Sequence, residues 1–159
     1  MLEFRVTKYD PRFRSPSGAF LAEDWTAMCD IGKAFAGEVL TEARYLAVEG
    51  AYIRTALSFL KEANVAALTA TGVENRRHNS GCPQEGARIS NDQAATVLRG
   101  LLREEFWCRL EGDSSFIHVG YDYYMYIGVG FRCPLSEDLA GQLGLFVEEF
   151  ESPYAHDAA

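Results

Sequence analysis

The chain has 159 residues, 48% of them hydrophobic and 13% aromatic, which suits one domain with a single core and excludes a disordered chain. Its 23 acidic against 15 basic side chains give a net charge of −8, which argues against a nucleic-acid partner because a phosphate backbone needs a cationic surface. No apolar run reaches the ~18 residues of a membrane span, and Met1 to Arg14 lacks a signal-peptide core, so a cytoplasmic location is expected.

Leu2, Phe4 and Val6 alternate with Glu3, Arg5 and Thr7, the period of a half-buried strand. Tyr9 to Gly18 reads as loop. Trp25, Met28, Gly32 and Phe35 recur at helical spacing and predict a short helix. Thr41 is a natural N-cap for the next helix, whose stripe of Tyr45, Val48, Tyr52, Ala56, Phe59 and Leu60 runs to about Ala63. Val65 to Thr71 predicts a strand. Residues 72–89 carry Gly, Pro and the Arg76-Arg77-His78 cluster without periodicity and are expected to form a long loop. Ser90 to Gln93 is a capping box opening a helix with Ala94, Val97, Leu98, Leu101 and Leu102 inward. Strands follow over Phe106 to Glu111, Phe116 to Gly120 and about Tyr123 to Val129. Ser136 is expected to cap a short helix closed by Gly144, with Leu145 to Phe150 as the last strand and residues 152–159 as a flexible tail. The predicted fold is α+β, a mostly antiparallel sheet with about four helices mainly on one face, in the order β-α-α-β-α-β-β-β-α-β.

The four cysteines, Cys29, Cys82, Cys108 and Cys133, show no metal-ligand or CxxC spacing. Cys29 and Cys108 fall on apolar stripes and are expected in the core. No metal or cofactor is implied.

The chemistry-bearing stretch is Glu104 to Arg132. A turn at Gly112 to Ser115 pairs Leu110 with Ile117 and Cys108 with Val119, apolar with apolar, and so fixes the register. For the second turn, a two-residue loop, Tyr121-Asp122, would set His118 beside Met125 and bury Tyr124 and Tyr126. A three-residue loop, Tyr121 to Tyr123, sets Val119 beside Met125 and Ile117 beside Ile127; it keeps the core apolar and is preferred. Trp107, Arg109, Glu111, His118, Tyr124 and Tyr126 then share the non-core face, with Asp122 in the turn. Tyr, Trp and Arg are enriched at binding hot spots because they bury large area while keeping a polar end. The alternative is that helices cover both sheet faces and these aromatics are ordinary core with satisfied hydroxyls. A lone strand His is a weak general base, and Glu104, Glu105 and Glu111 are more simply solvated than a hydrolase acid pair.

The charge is uneven. Residues 133–159 carry six acidic side chains and no Lys or Arg, leaving only −2 on residues 1–132. Glu148, Glu149 and Glu151 lie in that segment, which suits it to steer a basic partner. In its acidity, its size and the aromatic sheet FWCRLEG…FIHVGYDYYMYIG, the chain resembles the small acidic bacterial immunity proteins. The resemblance carries no family motif and so transfers no residue role. It implies a non-enzymatic protein that binds and neutralises a basic toxin domain, through Trp107, Arg109, Glu111, His118, Asp122, Tyr124, Tyr126, Glu148, Glu149 and Glu151. The rival reading is a nucleotide-like small molecule held by Arg109, His118 and the tyrosines; a homodimer through the aromatic face is a third.

Overall fold

The computed structural model describes residues 1–155. Leu2–Thr7 form β1, and a small hairpin pairs β2 (Ala34–Phe35) with β3 (Glu38–Val39). Helix α1 spans Glu42–Glu62, followed by β4 (Ala67–Glu74), β5 (Arg88–Ser90) and α2 (Asn91–Leu102). A meander of β6 (Trp107–Glu111), β7 (Phe116–Val119) and β8 (Met125–Val129) leads to α3 (Pro134–Gln142) and β9 (Phe146–Glu149). Seven strands form one sheet in the order β5-β4-β6-β7-β8-β1-β9, every neighbouring pair antiparallel. None of the described helices is long and apolar enough to cross a membrane.

Local chemistry sets the helix ends. The Thr41 hydroxyl accepts the Arg44 N–H at 3.2 Å, and Ser90 N–H donates to the Gln93 side chain at 3.0 Å, both satisfying donors that the first turn leaves free. Helix α1 buries Tyr45, Tyr52, Phe59 and Leu60, each contributing roughly 1.5–3 kcal/mol of hydrophobic stabilisation. Gly100 within α2 is a packing requirement: a β-carbon there would lie 2.4 Å from the Phe106 ring. One core joins the inner faces of the three helices to Phe4, Val6, Leu110, Ile117, Met125 and Ile127 of the sheet.

The structure corrects several expectations. Among the described residues there are three α-helices, because Trp25 to Phe35 does not form one. The Asp30 carboxylate accepts the N–H groups of Thr26 and Ala27, at 2.9 and 3.3 Å, closing a single 3-10 turn at Met28–Asp30. Gly32, Ala36 and Gly37 then take positive φ and turn the chain into the hairpin. Only Trp25 of that stripe is fully buried, and Cys29 is exposed rather than in the core. The loop after Gly72 is shorter than expected: β4 continues to Glu74 and β5 begins at Arg88. The intervening turn is tied by Asn75 to Asn79 and by Glu85, whose carboxylate accepts the N–H groups of Gly72 and Val73. Ser136 is not a cap but lies in the first turn of α3, bonded to Glu62.

Candidate functional site

The meander register is the preferred one. Arg109 lies opposite His118, His118 opposite Tyr126, and Val119 opposite Met125. The connection is the three-residue turn, with Asp122 and Tyr123 in the left-handed region and Gly120 N–H donating to the Tyr124 carbonyl at 2.7 Å. Continuing across the sheet, Glu148, Arg5, Tyr126, His118, Arg109 and Thr71 form one row on the face away from the helices.

That face is not open. Residues Phe150 to Ala155 cross it as a strap, so the described part of the expected flexible tail is packed; residues 156–159 lie outside the described residues. Phe150 lies 4.0 Å from the Arg5 guanidinium, which is forked to Glu148 at 3.2 Å by both nitrogens. Ser152 N–H donates to the Glu3 carboxylate at 2.8 Å. The Tyr154 ring contacts Trp107, His118 and Tyr126, and its hydroxyl lies against Gly120. As a result His118 is fully buried and Tyr126 is 7% exposed, so neither presents a surface to a partner. Trp107 donates its indole N–H to the Val119 carbonyl, and Arg109 reaches the Tyr154 carbonyl at 3.5 Å. Tyr124 is stacked on Tyr9 and accepts from Arg14 at 2.9 Å.

His118 sits in a hydrogen-bonded relay. Its Nε2 lies 2.7 Å from Glu111 and its Nδ1 2.7 Å from the Ser152 hydroxyl. With Nε2–H donating to the carboxylate, Nδ1 accepts the Ser152 proton, the polarity of a Ser-His-acid triad. The surroundings make it a clasp instead. Ser152 is 1% exposed, and its oxygen also accepts the Tyr154 N–H at 3.2 Å. Lifting the strap to admit a substrate would carry Ser152 away from the imidazole. Burial pushes the His118 pKa below its ordinary value, with Arg109 adding to this and Glu111 opposing it. Ser152 and Tyr154 were missed at the sequence level, although Phe150, Ser152 and Tyr154 continue the alternation of β9.

The remaining predicted residues separate. Asp122 is exposed at the turn end of the sheet, where its carbonyl accepts the Tyr9 hydroxyl at 2.6 Å. Glu148, Glu149 and Glu151 lie at the β9 edge. Here a cleft of about 310 Å³ opens between the start of β1 and the end of β9, lined by Met1, Leu2, Glu3, Glu149, Phe150 and Glu151. Three acidic and three apolar residues line it, with no Lys or Arg among them, and the Glu3 carboxylate there accepts the Ser152 N–H. Glu149 also pairs with Arg132 behind the strand. Two other depressions differ. One beside Trp107 and Tyr121 holds only about 130 Å³ and sets Arg76 and Arg77 against Glu104 and Glu105. The other, about 300 Å³ near Trp25, has its Glu38 paired with Arg44 and its Asp24 with Lys8. Among the described residues no three His, Cys, Asp or Glu side chains converge as a metal site. Compared with known protein families, curated proteins and solved structures, the chain matches none.

Proposed function

We propose that this protein is a non-enzymatic binder of a basic protein, in the manner of an immunity protein that neutralises a toxin domain, and that it docks through the acidic β9 edge. The observation that carries the reading is the cleft of Glu3, Glu149 and Glu151 beside Met1, Leu2 and Phe150. Exposed apolar side chains, Met1 at 63% and Phe150 at 44%, supply area to desolvate, and the carboxylates around them select and steer a cation-rich surface. The aromatic face contributes as a scaffold: the strap that covers it holds Phe150 at the edge. The small-molecule alternative loses its support, because the Arg109, His118 and Tyr126 groups it required are occupied by Ser152 and Tyr154.

The test is capture of partners from the native host by the tagged protein at ~50 mM and ~500 mM salt, with the charge-reversed variant Glu149→Lys/Glu151→Lys alongside. A basic protein retained at low salt, and lost both at high salt and with the reversed variant, is the expected result. A partner indifferent to salt and to charge reversal, or no basic partner at all, contradicts the proposal.

A further inference from the structure

We infer that β9 is a strand-addition edge, and that the partner supplies an extended basic segment which joins the sheet as an eighth strand. The inference rests on the basic-partner reading above and specifies how that partner is held.

Strand β9 is hydrogen-bonded to β1 on one side and ends the sheet on the other. The Phe150 N–H donates to the Glu3 carbonyl at 3.1 Å, and Glu148 lies opposite Arg5. Antiparallel bonding alternates, so Phe146, Glu148 and Phe150 direct their main-chain groups towards β1, and Val147 and Glu149 direct theirs outward. Among the described residues nothing bonds to the main chain of Val147 or Glu149. The opposite edge, β5, has three residues and runs directly into α2, so it offers no comparable length.

Unpaired edges are ordinarily protected by Lys, Pro, a bulge or a covering element. The run Phe146 to Glu151 has no Lys or Pro and ends in the cleft. Its protection is negative charge alone, which sets Glu148, Glu149 and Glu151 against the same residues of a second copy and so opposes self-pairing. A basic strand reverses that sign. Side-chain alternation specifies the segment: Glu149 and Glu151 share one face with the core-packed Val147 and call for Lys or Arg opposite the carboxylates, whereas Phe146 and Phe150 share the other face with Glu148, already paired with Arg5, and call for apolar residues. Main-chain bonds would supply affinity, and the alternating charges would set register.

The probe is a capped peptide, Lys-Val-Arg-Val-Lys-Val-Arg, titrated into the isotope-labelled protein and followed by NMR. The amides of Val147 and Glu149 are expected to shift and to exchange at least about tenfold more slowly with peptide bound. Val147→Pro deletes an outward N–H without touching the β1 ladder and should weaken binding by about tenfold or more. N-methylation of alternate peptide residues should do the same with the protein unaltered, so the test survives if the proline variant misfolds. Equal binding after both changes, but loss in Glu149→Lys/Glu151→Lys, overturns strand addition and leaves the basic-partner reading standing. No binding at ~1 mM peptide overturns strand addition. Self-association of the free protein that Val147→Pro abolishes also overturns it, in favour of a second copy.

Discussion

Glu49 is 3% exposed and accepts the Arg103 fork at 2.8 and 2.9 Å and the Tyr45 hydroxyl at 2.7 Å, which in turn receives the Tyr123 hydroxyl at 2.6 Å. Burial raises its pKa, but the guanidinium and hydroxyl outweigh burial and hold it below the ordinary range. Glu49→Ala strands Arg103 and the tyrosine pair, so urea unfolding should show a loss of about 3–5 kcal/mol. A loss under ~1 kcal/mol would mean that the network carries little. The same network holds Tyr123 in its left-handed conformation, because Tyr52 donates to the Tyr123 carbonyl at 2.8 Å. His118 makes the opposite case. Its folded pKa is depressed, so as pH falls the unfolded chain takes up the proton first and the folded protein loses stability. That loss begins near the unfolded value of ~6.5, with a slope of at most ~1.4 kcal/mol per pH unit for one proton. Denaturant midpoints between pH 7 and pH 5 should fall for the native chain and stay flatter for His118→Gln. A parallel fall in both would assign the effect elsewhere.

Among the elements, the strap is the least familiar. Its Tyr154 packs against three rings and its Ser152 closes the relay to Glu111. Tyr154→Ala should cost about 2 kcal/mol in urea unfolding and shift Trp107 fluorescence to the red as water reaches the indole. An unchanged spectrum would show that the strap does not seal the face. The β6–β7–β8 meander was legible because apolar residues pair only in one register and the Gly112 to Ser115 turn anchors it. The α1 and α2 caps were legible from Thr41 and from Ser90 with Gln93, whose effects are local. The β2–β3 hairpin was hidden because its helical spacing is an accident of four residues, overridden by Asp30 and the positive-φ residues Gly32, Ala36 and Gly37. The strap was hidden because its partners on the sheet lie at least 24 residues away in the chain, as with Tyr126 and Phe150 or His118 and Ser152. Hence the register that sets Arg109, His118 and Tyr126 in one row was legible, whereas the choice between an exposed and a covered face stayed open in the sequence.

Across the whole molecule, charge and topology converge on one edge. The helices take one sheet face, the strap takes the other, and β5 is too short to extend, which leaves β9 as the open boundary. Part of the acidic excess is neutralised internally, Glu148 by Arg5 and Glu137 and Glu149 by Arg132, yet Glu3, Glu149 and Glu151 line the cleft with no Lys or Arg among its lining residues. The exposed turn bearing Tyr121 and Asp122 lies at the other end of β8, so a partner seated at β9 leaves it free. Hydrogen exchange of the protein with its captured basic partner bound separates these surfaces in one measurement. The account predicts protection at Val147 and Glu149, with Tyr121 and Asp122 exchanging as in the free protein. Protection confined to Tyr121 and Asp122, with β9 unchanged, would contradict it.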